Sequence, residues 1–355
     1  MPTGKKQATI VEIARIANTS TATVSRVLSG ADYPVSEALR EAVKKAAREM
    51  NYVPNAIGQS LKIGKSQDIG VIIPNFTNPF YMQMISGIES VCRKEGYNPI
   101  FCSSNNDSAR EIGSIELLRR KCVEGLILSS IHKSAKALQA ALRLHKHVVL
   151  FDQEATLDTC DYVSFDFESG GFLAVDYLLK HGHRRIAFLT APLENRASRS
   201  ALYRGCQQAV RQWPSQAYCE LISTDVQVED YKTWEYENGR LLAREFLQLS
   251  PLPTAAFVYN DVTAIGVMSQ LAADGVRIPE DVSVMGFDNI INAEYTTPPL
   301  TTVSQPAFDT GAMATRIILD KIMGTNMANC RINLHPQLIE RKSVKNLNDV
   351  MEGDC

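Results

Sequence analysis

Thr21, Ala22, Ser25 and Arg26 are short or polar residues, spaced so that one short helix would present them together. Hydroxyl and guanidinium groups donate hydrogen bonds, and on a helix surface they can bind the base edges and phosphates of nucleic acid. Val24 lies among them and would face inwards. A small, polar, arginine-bearing helix face is the type that fits the DNA major groove. Nucleic-acid binding is therefore the first function to consider.

Residues 9–29 predict two short helices joined by a tight turn. Thr9 and Glu12 have the spacing of a capping box, which starts the first helix. Asn18 tolerates the left-handed backbone that a sharp turn needs, and Ser20 can cap the second helix. Because this spacing also arises by chance, a pair of packed surface helices remains the alternative on these residues alone.

A third helix and the charge distribution agree with a DNA-binding module. The third helix fits residues 37–50, with Ser36 as its cap. Residues 1–65 hold ten lysines and arginines against five aspartates and glutamates, a net charge of +5, whereas the rest of the chain carries 27 against 34, a net charge of −7. Phosphate contacts supply much of the affinity of DNA-binding proteins, so a basic module suits that role. An ordinary fluctuation of charge is the alternative.

Composition excludes several classes of protein. The chain has 355 residues, of which 45% are hydrophobic and 21% are charged, so it can form more than one globular domain. It has no run of about 18 apolar residues, the length that a membrane-spanning helix needs. Its first residues lack the apolar core of a signal peptide. We therefore expect a cytoplasmic protein with no membrane partner.

The cysteines and histidines do not predict a metal site. Eight cysteines are scattered without a Cys-x-x-Cys pair, which indicates reduced, buried thiols rather than disulfides or zinc ligands. His181 and His183 flank Gly182, and this pattern suits the end of a helix. We expect neither a metal nor a cofactor. The cysteines are Cys92, Cys102, Cys122, Cys160, Cys206, Cys219, Cys330 and Cys355.

From residue 68 onwards apolar strands alternate with amphipathic helices. This alternation is typical of parallel sheets covered on both faces, and it starts again near residue 161, which predicts two doubly wound lobes. The predicted strands are 69–74, 99–103, 125–129, 148–152, 162–165, 186–190, 220–223, 256–259 and 283–287. Predicted helices include 81–94, 109–120, 171–180, 237–247, 262–274 and 308–323.

Polar residues follow several of these strands. In such sheets ligands bind beyond the carboxyl ends of the strands. Carboxylates and amides beside aromatic rings suit a polyhydroxylated ligand. At each position a helix cap is the alternative, and both interpretations stay open. The residues in question are Asp152, Asp166, Asn260, Asp261, Asp288 and Asn289.

Two other classes of function are alternatives to DNA binding. The chain has no G-x-G-x-x-G after its first strand, no Walker loop and no G-x-S-x-G elbow, and no nucleophile–base pair stands out. We therefore do not expect an enzyme, a sugar-processing one included. The other alternative is a two-lobed sugar-binding protein without a DNA role. The basic N-terminal module and the missing signal peptide argue against it.

Seven ordered segments, spread over nearly the whole chain, match one known family. On these segments the chain resembles the lactose/galactose repressor family of bacterial transcription factors. The resemblance implies an all-α helix-turn-helix headpiece and two parallel-sheet α/β lobes of the periplasmic-binding-protein type. It also implies a dimer that binds operator DNA, gated by a small-molecule effector and most often repressing transcription of carbohydrate-metabolism genes. The segments are 23–28, 52–61, 78–81, 182–187, 260–261, 278–288 and 298–303.

The resemblance assigns roles to the polar face of the second helix. Thr21, Ala22 and Arg26 match base-reading positions, and Ser25 matches a phosphate contact. Arg26 is the best candidate for a bidentate contact to guanine, which is worth about 1–3 kcal/mol of discrimination. Thr21 and Ala22 could contact a thymine methyl group.

Residues 55–61 resemble the hinge helix that forms on the operator and lies in the minor groove. Asn55 starts this segment, and Leu61 matches the apolar wedge that opens the central base step. Gly58 stands where alanine is usual, and glycine costs a helix about 1 kcal/mol against alanine. We therefore predict a hinge that is less ordered off DNA.

The resemblance also implies an effector cleft between the two lobes. The residues that match pocket positions are Phe80, Tyr81, Asp152, Asn260 and Asp288. The resemblance implies that the effector is a sugar or sugar derivative. Its binding would shift the arrangement of the lobes and so the spacing of the two headpieces.

The family's effector-binding arginine has no direct counterpart here. One extra residue lies within 192–205, and the expected position falls on Ala201 or Leu202. Arg196 and Arg199 are nearby and are the candidates to replace it. Because two arginines are available, a phosphorylated or carboxylated ligand is an alternative to an uncharged sugar.

The expected domain boundaries follow from these segments. The tail holds at most one heptad of apolar spacing, too little for a coiled coil, which favours a dimer over a tetramer. The expected parts are a headpiece 1–53, a hinge and linker 54–66, a two-lobed region 67–343 and a tail 344–355, with lobe one at 67–161 plus 291–325 and lobe two at 162–290 plus 326–343.

Overall fold

The computed structural model describes residues 8–29, 34–52, 66–129, 135–151, 160–224, 233–326 and 328–348. The chain divides between Ser66 and Gln67 into two compact units.

The N-terminal unit contains the three predicted helices in its described residues. They are α1 (Ile10–Ile16), α2 (Thr21–Leu28) and α3 (Glu37–Glu49). The predicted caps are confirmed: Thr9 and Glu12 form a capping box, and Ser20 and Ser36 each accept a backbone N–H three residues on. Aliphatic side chains from all three helices share one small core. It includes Ile13, Ala14, Val24, Val27, Val43 and Ala46.

The larger unit contains two lobes, and the predicted pair of parallel-sheet lobes is confirmed. In the described residues, the first lobe has a six-stranded sheet in the order β11-β5-β4-β3-β1-β2, with every pairing parallel. Its strands are β1 (Asp68–Ile73), β2 (Asn98–Ser103), β3 (Gly125–Leu128), β4 (Val148–Phe151), β5 (Asp161–Phe165) and β11 (Arg331–Leu334). Its helices are α4 (Pro79–Glu95), α5 (Ser108–Arg120), α6 (Ala135–Leu144) and α11 (Ala307–Met323).

The second lobe repeats this plan. Its sheet, again six strands in the described residues, has the order β12-β10-β9-β8-β6-β7, and its pairings are parallel except for the antiparallel edge strand β12. Its strands are β6 (Arg185–Thr190), β7 (Tyr218–Ser223), β8 (Ala255–Val258), β9 (Ser283–Asp288), β10 (Thr301–Ser304) and β12 (Gln337–Ile339). Its helices are α7 (Phe167–Lys180), α8 (Ala197–Gln212), α9 (Trp234–Leu247) and α10 (Asp261–Ala273).

The central strands are apolar throughout because helices cover both faces of each sheet. In β1, Ile69, Val71 and Ile73 join one hydrophobic cluster, whereas Ile72 points to the opposite face and joins another. This arrangement explains why the sequence shows a continuous apolar run rather than the alternation of a half-exposed strand.

The structure corrects the expected lobe boundaries. The sequence placed the chain crossings near residues 162, 290 and 326, whereas the sheets place them at 166, 305–306 and 335–336. β5 pairs with β4 and β11 and so belongs to the first lobe, and β10 pairs with β9 in the second. Lobe membership depends on strand pairing between residues that are far apart in the chain, and local sequence patterns do not report it.

Candidate functional site

The second helix of the headpiece presents the polar face that the sequence predicts. Thr21, Ala22 and Arg26 are exposed and Ser25 is partly exposed, while Val24 is buried in the headpiece core. The side chains that pack the helix into the headpiece, Val24 and Val27, are distinct from this exposed set. It has the size and chemistry to enter a DNA groove.

The turn before this helix fixes its direction. Asn18 has a φ of 48°, in the left-handed region, as predicted. The backbone N–H of Thr19 donates to the carbonyl of Ala14 at 2.9 Å, which closes the end of α1. Ser20 then starts α2, because its Oγ accepts the N–H of Thr23 at 3.1 Å.

Several predicted site residues lie outside the described part of the chain. These are Asn55 and Leu61, Gly58 of the hinge segment, and Asp152 of the effector cleft. Their roles stay predictions.

The start of α4 brings two predicted cleft residues, Phe80 and Tyr81, to the edge of the first sheet. Asn78 caps this helix, since its Oδ1 accepts the N–H of Phe80 at 2.9 Å. Both rings are buried and meet edge to face, with centroids 5.3 Å apart. The Tyr81 hydroxyl accepts a hydrogen bond from Arg196 Nη1 at 3.3 Å. Arg196 belongs to the second lobe, so the predicted residues of both lobes meet here.

Glu235 joins these residues, although nothing in the sequence singled it out. It stands at the start of α9, and its carboxylate accepts from Asn260 Nδ2 at 2.7 Å and from Asn78 Nδ2 at 3.0 and 3.2 Å. Asn260 also caps α10 by accepting the N–H of Thr263 at 2.8 Å. The cap that the sequence offered as one alternative is therefore present, whereas a ligand contact by Asn260 stays a prediction.

Arg199 lies deeper, beside aromatic rings of the second lobe. It is 7% exposed, and its Nη1 donates to the Pro192 carbonyl at 3.2 Å. Its guanidinium carbon lies 4.8 Å from the centre of the Tyr259 ring and 6.0 Å from that of Trp234. Within the described residues its Nε has no hydrogen-bond partner. A buried donor of this kind is a suitable contact for a ligand acceptor.

Burial dominates the electrostatics of the cluster. It raises the pKa of Glu235, although Arg196, the Asn260 amide and Arg199 oppose that shift. It also lowers the pKa of Arg199, against the attraction of Tyr259 and Glu235. Arg199 is buried, whereas Arg196 and Glu235 are partly exposed, and the charges of all three groups influence one another.

Two further strand-end residues, Asp288 and Asp261, accept hydrogen bonds from other residues of the chain. Asp288 ends β9 with a φ of 112°, and its Oδ1 accepts from Gln305 Nε2 at 2.6 Å, where the chain crosses between lobes. Asp261 is buried and accepts from Thr302 Oγ1 at 2.7 Å and from the N–H of Ile290 at 2.9 Å. Burial raises the pKa of Asp261 to about 7.

Ala201 and Leu202, where the resemblance would place the family arginine, are buried in the hydrophobic core of the second lobe. Neither has a polar group to offer a ligand. Arg196 and Arg199 supply the guanidinium groups of this region instead, one from the residue before α8 and one from its first turn.

In the described part of the chain, no helix is long and apolar enough to span a membrane. Over the same residues, histidine, cysteine and carboxylate side chains form no group of three or more that could hold a metal ion.

Comparison with known proteins agrees with this architecture. Residues 9–55 match the family model for bacterial regulatory proteins of the lacI family, and residues 175–344 match the model for a periplasmic binding protein-like domain. The HTH-type transcriptional repressor PurR of Vibrio atlanticus is 35% identical over 343 residues, covering 96% of this chain and 100% of the relative. PurR of Aliivibrio salmonicida is 31% identical, with the same coverage of both chains.

Solved structures give the same result. The Lac repressor dimer bound to operator and the anti-inducer ONPF has a TM-score of 0.82 at 26% identity, covering 96% of this chain and 100% of that one. The complex of the transcriptional regulator CelR with cellobiose has a TM-score of 0.69 at 27% identity, covering 95% and 100%. A lacI-family regulator of Enterococcus faecium with bound ribose has a TM-score of 0.69 at 28% identity, covering 79% and 99%.

The relatives are transcriptional repressors rather than enzymes, which decides against the catalytic alternative. The fold of the headpiece and of the two lobes and the match to the PurR relatives, which covers 96% of this chain, indicate the same family. The chain belongs to the lactose/galactose repressor family of bacterial transcription regulators.

Proposed function

We propose that this protein is an effector-gated repressor that binds operator DNA as a homodimer and regulates carbohydrate-metabolism genes in the cytoplasm. The observation that carries the proposal is the face of α2. Thr21, Ala22 and Arg26 are exposed on it, while Val24 and Val27 of the same helix are buried. Because the buried valines pack α2 against the headpiece core, the exposed side chains can enter a DNA groove while that packing stays intact.

In this proposal Thr21, Ala22 and Arg26 read bases, and Ser25 contacts a phosphate. Asn55 and Leu61 act in the hinge, where Leu61 enters the minor groove. Two headpieces of a dimer would read the two halves of a pseudo-palindromic site, because the symmetry of the protein sets the symmetry of its operator.

The DNA-binding test starts with selection of binding sites from random duplexes by the full-length protein. We expect a pseudo-palindromic site, and we expect Arg26→Ala to lose about 1–3 kcal/mol of affinity for it at fixed salt concentration. Arg93→Ala is the matched control, since Arg93 is an exposed arginine of the larger unit. Recovery of no preferred site by the full-length chain would overturn the proposal.

Effector gating is proposed for the cleft between the lobes. Phe80, Tyr81, Arg196, Arg199 and Asn260 supply rings, guanidinium groups and an amide. Asp152 and Asp288 complete the proposed contacts. The effector is proposed to be a sugar or sugar derivative, a class supported by the ribose and cellobiose bound to similar regulators.

A thermal-shift screen of sugars, sugar acids and sugar phosphates tests this part. A ligand present at about 100 times its dissociation constant stabilises the folded protein by about 2.7 kcal/mol. A true effector must also change the affinity for the selected DNA site, because coupling between two sites is reciprocal. A ligand that stabilises the protein without changing DNA affinity would support the sugar-binding alternative instead.

A further inference from the structure

Hydrogen bonds between polar side chains connect the two lobes across the cleft. From the first lobe, Asn78 donates to Glu235 at 3.0 and 3.2 Å. From the second lobe, Arg196 donates through Nη1 to the Tyr81 hydroxyl at 3.3 Å and through Nη2 to Asn106 Oδ1 at 3.1 Å. Two residues of one lobe are thus bound by three residues of the other.

These contacts are stronger than ordinary surface hydrogen bonds. Each involves a charged partner, either the Glu235 carboxylate or the Arg196 guanidinium, and charge-assisted hydrogen bonds are roughly twice as strong as neutral ones. Asn260 fixes Glu235 from its own lobe at 2.7 Å, so that the carboxylate is already oriented towards Asn78. Little side-chain freedom is lost when the bonds form.

We propose that the Asn78–Glu235 contact, supported by Arg196, is a latch that holds the cleft closed. This inference rests on the proposed function, because it assigns the regulation of the same cleft. The latch sets the ratio of closed to open lobes before any effector binds. An effector then changes DNA binding to the extent that it replaces or completes these bonds in one of the two arrangements.

Exchanging the donor and acceptor across the cleft tests the latch. Asn78→Asp keeps the cap of α4, since an aspartate oxygen can accept the N–H of Phe80, but it places a second carboxylate against Glu235. Glu235→Gln keeps an oxygen for Asn260 but turns an amide donor towards the Asn78 donor. The double variant restores one donor and one acceptor with their positions exchanged, because the glutamine amide at position 235 can donate to the aspartate at position 78.

Trp234 is the probe that we choose for the state of the cleft, because it precedes Glu235 and its ring lies beside Arg199. The chain has two tryptophans, so Trp213→Phe leaves Trp234 as the single tryptophan, next to Glu235 and half-buried. Acrylamide quenching of the full-length protein in this background measures how accessible Trp234 is. Glu237→Gln, on the same helix, is the matched control, because Glu237 faces Arg240 at 3.7 Å instead of the cleft.

Each single variant is expected to lower the closed-to-open ratio about tenfold, the equivalent of about 1.4 kcal/mol, and so to raise the quenching constant. The double variant is expected to return it towards the value of the starting protein, with far-UV circular dichroism unchanged throughout. The latch would be overturned if the single variants had the same quenching constant as the Glu237→Gln control. It would also be overturned if the quenching constant of the double variant were as high as the higher of the two single-variant values. None of these measurements uses DNA, so a failed latch and a failed repressor assignment are separate results.

Discussion

The guanidinium of Arg199 stacks over the ring of Tyr259, with 4.8 Å between its central carbon and the ring centre. A buried cation of this kind is costly to dehydrate, and burial lowers the pKa of Arg199 accordingly. A cation–π contact returns about 2 kcal/mol when it is desolvated, which does not offset the full penalty. We therefore expect Arg199 to act in ligand binding rather than in stability.

We predict that Arg199→Met leaves the free energy of unfolding unchanged or raises it by up to about 2 kcal/mol, because an apolar side chain of similar length removes the buried charge. The same variant should lose the thermal response to any sugar that stabilises the unmodified protein. Urea titration and the thermal-shift screen measure the two effects, with Arg204→Met as an exposed control. A loss of stability above about 2 kcal/mol would instead make Arg199 a structural residue.

The cap of α2 gives a second prediction. Ser20 Oγ accepts the N–H of Thr23, and replacing a serine cap by alanine costs about 1 kcal/mol. Ser20→Ala should therefore increase amide hydrogen exchange in α2 about fivefold, as measured by mass spectrometry of the full-length protein. Ser20→Asp should behave like the unmodified protein, because aspartate also caps. Equal exchange in the alanine variant would show that packing alone holds this helix.

Two glycines predict opposite responses to alanine. A Cβ at Gly205 in α8 would lie 1.9 Å from the carbonyl oxygen of Glu168 in α7, so the two helices could not approach as they do. A Cβ at Gly113 in α5 would meet nothing within 4 Å. In urea unfolding we expect Gly205→Ala to cost more than about 3 kcal/mol. Gly113→Ala should gain about 0.5–1 kcal/mol. A tolerated Gly205→Ala would contradict the close packing of α7 and α8.

Local signals in the sequence predicted the local structure well. The caps at Thr9, Ser20 and Ser36 and the left-handed Asn18 depend on residues a few positions apart, and each was found where expected. The nine predicted strands are all present, and the apolar runs of the central strands β3, β4 and β8 are buried along their whole length. Such features carry their information within a short window of sequence.

Features that depend on distant residues were missed. β11 is a short edge strand whose burial alternates, and only its pairing with β5 makes it part of the first sheet. β10 and β12 were missed for the same reason, being short strands defined by pairing. Glu235 follows no strand and belongs to no recognisable motif, so its role became visible only when the fold brought Asn78 and Asn260 against it.

We expect His183 to make the stability of the second lobe depend on pH. The imidazole is buried and bonded on both sides, with Nδ1 2.9 Å from Thr254 Oγ1 and Nε2 3.1 Å from the carbonyl of Lys345. Burial lowers its pKa from 6.5 to about 4. The histidine therefore joins the segment after β12 to the rest of the lobe in its neutral form.

The direction of the pH effect follows from this lowered pKa. In the unfolded chain the histidine takes up a proton below about pH 6.5, whereas in the folded protein it resists protonation down to about pH 4. The stability contributed by the neutral imidazole is complete above pH 6.5 and is lost as the pH falls from 6.5 towards 4. The full loss is on the order of 3 kcal/mol, at about 1.4 kcal/mol for each unit of pKa.

The glutamine variant isolates this contribution from other groups that titrate in the same range. His183→Gln keeps a neutral side chain that can hydrogen bond but cannot gain a proton. We predict that the unfolding free energy of the unmodified protein, minus that of His183→Gln, falls steadily between pH 6.5 and pH 4 in urea titrations. A difference that stays constant over this range would show that the buried imidazole does not govern acid sensitivity here.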